Sequence, residues 1–143
     1  MRARVSHPVV LLVFCLVFAG CHKKTAVSGS IGKLLQTGAS QVDMRRVANF
    51  AWDDMFVFGP YTSKDQICRT LKHSGSQCSY EGIRDVNELE SLMVFLHGAS
   101  ETRIESLSRS VADFDDSCLK KNLKRDAAVL SVERRPRVLL VCH

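Results

Sequence analysis

Asp53, Asp54, Tyr61, His97 and Arg109 are the residues of this chain whose types suit catalysis or ligand binding. Two adjacent carboxylates beside Trp52 suggest acid–base work or sugar chemistry, in which one carboxyl donates a proton and the other accepts one or steadies a cation. The spacing argues against it. Adjacent residues of a strand point to opposite faces, so Asp53 and Asp54 cannot converge on one substrate atom without a bulge. An acidic pair at a strand entry, next to a core Trp, is the plainer expectation. His97 ends the most apolar stretch of the chain and is the histidine best placed to exchange protons, although a strand-terminal imidazole is more often satisfied by backbone. Tyr61, following Pro60, either packs over a turn or offers a ligand platform. Arg109 joins these as a candidate for a cleft that the sequence does not locate. No Gly-rich phosphate loop, nucleophile elbow or zinc signature is present, so no catalytic residue is assigned and no cofactor or metal is expected. Catalytic groups can converge in space without local signatures, which keeps an enzyme among the alternatives.

Where such groups would work is set by the N-terminus. Arg2 and Arg4 precede a twelve-residue apolar run, Val9 to Gly20, that contains no charge and ends on small residues. These are the three parts of a secretory signal. The run is shorter than the roughly 20 apolar residues of a spanning helix, and the basic His22-Lys23-Lys24 follows at once.

Phe18-Ala19-Gly20-Cys21 resembles the lipobox of bacterial lipoproteins, with Phe where that family usually has Leu. The resemblance implies cleavage before Cys21 and a diacylglyceryl group on its thiol. Acyl chains contribute about 0.8 kcal/mol per buried methylene, and two or more make a stable anchor. It also implies, from His22 in place of Asp after the cysteine, sorting to the outer membrane, facing the periplasm, in a diderm host. The expected organisation is a signal peptide over 1–20, a lipidated flexible tether over 21–32 and one small domain over 33–143.

Loss of residues 1–20 leaves 123 residues, enough for one modest core, and lowers the net charge from +5 to +3. Basic residues gather at Lys120, Lys121, Lys124, Arg125 and at Arg134, Arg135, Arg137. Solvated faces are expected there, with anionic lipid or cell-wall polymer as the sharper alternative. An exported chain does not meet cytoplasmic nucleic acid. With Cys15 cleaved away and Cys21 acylated, Cys68, Cys78, Cys118 and Cys142 remain, and an even number in an oxidising compartment reads as two disulfides. Three connectivities are possible. Cys68 with Cys78 and Cys118 with Cys142 is favoured, because each pair is close in sequence and ties a loop to a regular element. His73 and His143 make a metal site the competing reading, but CxxC and HxxxH spacings are missing.

The positioning elements follow from periodicity. Phe50 to Thr62 reads as a strand, with Trp52, Phe56 and Phe58 on one face and Met55 and Val57 on the other, stopped by Gly59-Pro60. Ser63 and Gln66 form a capping box for a helix carrying Ile67 and Leu71 that ends before Gly75. This W-D, strand, P-Y-T segment resembles a loose group of small bacterial envelope lipoproteins, with an echo at Arg109 and Asp113-Phe114; the resemblance implies a shared fold and brings no activity. Lys33 to Ala48 is weakly periodic, with a short helix near 40–47. Residues 74–90 read as a loop pinned by a disulfide, 91–96 as a central strand and 101–107 as its hairpin partner. Residues 113–125 suit a short helix, and 127–132 and 137–142 two closing strands. The fold class is therefore α+β: a small antiparallel sheet of about five strands with one or two helices, stapled by disulfides.

Such a chain is expected to be a lipid-anchored binding or structural module of the bacterial envelope, contacting the membrane and an envelope protein or wall polymer. A small envelope enzyme, or an inhibitor of one, is the alternative. It gains if His97, Arg109 and an Asp line one concave pocket, and the binding module stands if they scatter.

Overall fold

The computed structural model describes residues 26–79 and 81–143. The expected signal segment and the lipidation of Cys21 lie outside these residues. In chain order the elements are α1 (Val27–Gln36), β1 (Gln41–Asp43), the one-turn α2 (Met44–Val47), β2 (Asp54–Phe58), α3 (Lys64–His73), β3 (Glu90–His97), β4 (Ser100–Ser108), β5 (Asp113–Phe114), β6 (Leu123–Lys124), a 3-10 turn (Arg125–Ala127), β7 (Val129–Arg134) and β8 (Val138–Val141).

The α+β class and the predominantly antiparallel pairing are borne out, with the strands divided between two sheets. One has the order β4-β3-β2-β6; the other has β1-β7-β8-β5, in which β5 and β8 run parallel. The first sheet is the middle layer. Met55 and Val57 of β2 stand opposite Phe95 and Met93 of β3 and face the second sheet and α1. Phe56 and Phe58 stand opposite Val94 and Leu92 and face Ile67 and Leu71 of α3. Each strand thus alternates between two cores, which is why 92–96 reads as an unbroken apolar run rather than as apolar and polar in turn.

α3 begins as expected. Ser63 Oγ accepts from the Gln66 N–H and the Gln66 side chain accepts from the Ser63 N–H, so two otherwise unpaired donors of the first turn are satisfied. Both disulfides form in the favoured pairing, Cys68–Cys78 and Cys118–Cys142. The first holds the 74–89 segment against α3; the second joins the link after β5 to the residue following β8.

Three expectations are corrected. Residues 27–32, expected within the flexible tether, are the first turns of α1, because Val27 and Ile31 recur one turn apart and are both buried against the core. Trp52 does not share a face with Phe56 and Phe58. The chain bends at Asp53, and Trp52 packs in the other core, edge-on to Phe95 at 5.4 Å. Residues 113–125 hold no α-helix: Asp113–Phe114 pair with Leu139 and Leu140, and Leu123–Lys124 pair with Asp54 and Met55. Long-range pairing there overrides a weak local helical spacing.

Candidate functional site

β2 and β3 run antiparallel with Asp54 opposite Leu96, so the residue before β2 meets the residues after Leu96. Asp53 therefore lies beside the β3–β4 turn. Its N–H donates to Leu96 O at 2.8 Å, its Oδ2 accepts from the Gly98 N–H at 2.9 Å, and the same oxygen lies 2.8 Å from His97 Nδ1. Gly98, at φ +60°, reverses the chain in the left-handed region that suits glycine, and this aims its N–H at the carboxylate. The result is an imidazole oriented by a carboxylate through Nδ1. Both side chains are more than half exposed, at 58% and 53%. Asp54 turns the other way, with Oδ1 2.6 Å from Lys124 Nζ on β6. The two adjacent carboxylates thus serve different partners, as strand geometry requires.

Tyr61 and Arg109 sit at the opposite end of the middle sheet. The five residues of β2, about 17 Å of strand, lie between Asp53 and the turn that carries Tyr61. Pro60 and Gly59 turn the chain, with Thr62 Oγ1 donating to Gly59 O at 2.7 Å. Tyr61 is held at φ +63°, an uncommon conformation for a residue with a bulky side chain, and the Tyr61 N–H donates to Val86 O while the Val86 N–H donates to Thr62 O. The fixed turn leaves Tyr61 75% exposed. Its hydroxyl donates to Glu88 Oε2 at 3.0 Å, and this bond together with the Glu88 charge pushes the phenol above its ordinary pKa. Leu89, next in the chain, is 69% exposed. Arg109 bonds Glu88 O through its guanidinium, and its backbone N–H donates to Leu89 O. Its Nε and second guanidinium nitrogen reach Asp113 Oδ2 at 2.7 and 2.6 Å, and Arg137 approaches the same oxygen at 3.3 Å.

Four of the five candidates therefore fall into two pairs at opposite ends of the middle sheet, Asp53 with His97 and Tyr61 with Arg109. Glu88, Leu89 and Arg137 complete the second pair; Arg137 was expected only as part of a basic cluster, and Glu88 and Leu89 were not singled out by the sequence because they belong to a polar loop whose position depends on the pairing of β3. The basic clusters are only partly solvated faces. Arg134 donates to Leu35 O and Ala39 O at the end of α1, and Arg125 lies 5.7 Å from the Trp52 ring centre. Among the described residues, no group of three or more His, Cys, Asp or Glu could hold a metal ion, and no helix is long and apolar enough to cross a membrane.

Four carboxyls are held below their ordinary values: Asp43 by Arg45, Asp53 by the Gly98 N–H, Glu90 by Arg84 and Asp115 by Ser117. Such a group stabilises the fold above its unfolded value, and that contribution is lost as pH falls through the folded value. The thermal midpoint is therefore expected to be level from about pH 7 to about 5 and to fall below about pH 4. A circular-dichroism melt series checks this; a midpoint level down to about pH 3 would show that these contacts carry no net stability.

Compared with protein-family models, with curated proteins and with solved structures, the chain matches none of them.

Proposed function

We propose that the protein is a lipid-anchored binding module of a bacterial envelope, held to the membrane through Cys21 and presenting the Tyr61–Leu89 surface to an envelope protein or cell-wall polymer. The observation that carries this reading is the exposure of Tyr61 and Leu89 on either side of Glu88, with Tyr61 in a costly backbone conformation that hydrogen bonds on both sides hold in place. Backbone strain of this kind costs about 1–3 kcal/mol and clusters at recognition sites. Aromatic groups with a polar tip are favoured at such surfaces, because they bury large area at small conformational cost. Two disulfides fit a chain that folds in an oxidising compartment outside the cytoplasm.

One experiment addresses both halves of the proposal. In-cell cross-linking followed by membrane fractionation, affinity capture and mass spectrometry is applied to the wild type, to Cys21→Ala, and to a Tyr61→Ala, Leu89→Ser variant. Cys21→Ala is expected to leave the membrane fraction or to keep its signal segment uncleaved. The double surface variant is expected to remain anchored and to lose the dominant cross-linked partner. Unchanged fractionation together with unchanged electrophoretic mobility of Cys21→Ala would remove the anchor; an unchanged cross-linking pattern for the double variant would remove the Tyr61–Leu89 surface.

A further inference from the structure

A groove of about 640 Å³ runs between α1 and the β1–α2 segment. Leu34, Val47 and Val129 give it apolar walls, and Lys33, Arg45 and Arg46 supply three positive charges against the single carboxylate of Asp43. That carboxylate is already engaged. It accepts from the Arg45 N–H and Nε on one oxygen and from the Arg45 terminal nitrogen on the other, so it fixes Arg45 in place and leaves the groove with an excess of positive charge. Arg46 reaches only to 3.7 Å from it and is 87% exposed. Lys33 has no carboxylate partner among the described residues. Arg45 also borders a second hollow, where Asp53 and Asp126 accompany Lys124 and Arg125, so the excess of positive charge belongs to the groove itself.

The position of this groove relative to the N-terminus matters as much as its charge. Ala26 is five residues after Cys21, a stretch that spans at most about 18 Å. Ser30, at the mouth of the groove, lies one helical turn further, with its N–H on Ala26 O. A leash of that length is shorter than the domain is wide, since a chain of this size has a radius of gyration of about 14 Å. The end of the molecule that carries α1 is therefore kept against whatever surface holds residue 21, and Lys23 and Lys24 in the leash add charge of the same sign.

The geometry points to a docking site for anionic phospholipid headgroups, formed by Lys33, Arg45 and Arg46 over the apolar walls of the α1 groove. It rests on the reading of Cys21 as the anchor, and it adds an orientation: the α1 side faces the bilayer and the Tyr61–Leu89 surface is offered elsewhere. The phosphodiester takes the cations, and the glyceryl and first acyl carbons lie along Leu34, Val47 and Val129.

Residues 21–143 carry every described element and both disulfides, so the mature chain with Cys21→Ser tests the groove without the acyl anchor. Its sedimentation is measured with vesicles of phosphatidylcholine alone and of phosphatidylcholine and phosphatidylglycerol in equal parts. Binding is expected only to the anionic vesicles, weakening with added salt. Each basic residue near an anionic surface contributes about fivefold, so Lys33→Gln with Arg46→Gln is expected to weaken binding about 25-fold. Lys120→Gln with Lys121→Gln removes the same charge from another surface and is expected to leave binding nearly unchanged. Equal losses in the two double variants would reduce the effect to net charge and overturn the groove. No sedimentation with anionic vesicles, or binding abolished by free glycerol phosphate at millimolar concentration, would overturn it as well, the latter by assigning the cations to a soluble phosphate. Failure here leaves the anchor at Cys21 standing, and failure of the Cys21→Ala fractionation leaves vesicle binding standing, so the two results are separable.

Discussion

Replacing Trp52 with Ala is expected to destabilise the protein by about 3–5 kcal/mol, a large share of the roughly 5–15 kcal/mol that a domain of this size possesses. The side chain is fully buried, meets Phe95 edge-on, and donates its indole N–H to Ala48 O at 3.2 Å. It lies where the segment from α2 crosses onto the middle sheet, so its removal opens a cavity between the sheets that neither can fill without moving. It also leaves the Ala48 carbonyl without its indole donor in a buried setting. Trp52→Phe separates these effects, because the ring contact is largely kept and the hydrogen bond is not; a loss of about 1–2 kcal/mol is expected for it. Urea denaturation followed by far-ultraviolet circular dichroism measures both. A loss below about 1 kcal/mol for Trp52→Ala would mean that the sheets close without this side chain, contrary to its burial and contacts.

The second large effect concerns the disulfides, and it is a ranking. Cys118 and Cys142 are separated by 24 residues and Cys68 and Cys78 by 10. In the chain-entropy account the longer loop contributes about 3.4 kcal/mol and the shorter about 2.7 kcal/mol. Packing widens the gap. Cys118 and Cys142 belong to the larger core, whereas Cys68 and Cys78 lie at the edge of the smaller one. Around the Cys118–Cys142 bridge, the Cys142 N–H donates to Ser117 Oγ and the Asp115 N–H to Leu140 O, so freeing it loosens the β5–β8 pairing. Paired Cys→Ala variants at 118/142 are therefore expected to lose more stability than those at 68/78, and full reduction is expected to bring the protein close to unfolding at physiological temperature. Equal denaturation midpoints for oxidised and reduced protein would defeat this account.

The parts of the fold legible in the sequence are those fixed by neighbouring residues. Ser63 and Gln66 cap a helix wherever such a pair precedes an apolar stripe, Gly59-Pro60 ends a strand, and Cys68–Cys78 closes a short loop across α3. The hairpin of β3 and β4 was legible for the same reason. What was not legible depends on partners far along the chain. Gly29, Ser30 and Gly32 give 27–32 the composition of a linker, yet the stripe Val27, Ile31, Leu34 crosses the boundary drawn at residue 33, and a Cβ at Gly32 would meet Val111 only at ordinary van der Waals distance. Two-residue strands such as β5 and β6 have no local period to read. The meeting of Asp53 with His97, and of Tyr61 with Glu88 and Arg109, follows from the register of the middle sheet, which alternation alone does not specify across an unread loop.

The two sheets differ in when they can exist. The hairpin of β3 and β4, and the pairing of β2 to β3, join residues within one stretch of chain, whereas β1 pairs with β7, bringing Gln41 to Ser131. Closing so long a loop is entropically slow, and no earlier strand can substitute for β7. A chain delivered N-terminus first can assemble the middle sheet and α3 while its last residues are still to come. α1 can already lie against β4, but β1 must wait with Val42 uncovered until β7 arrives. The C-terminal β7–β8 hairpin is thus the latch of the molecule, and the Cys118–Cys142 bond, one residue beyond β8, holds that latch shut.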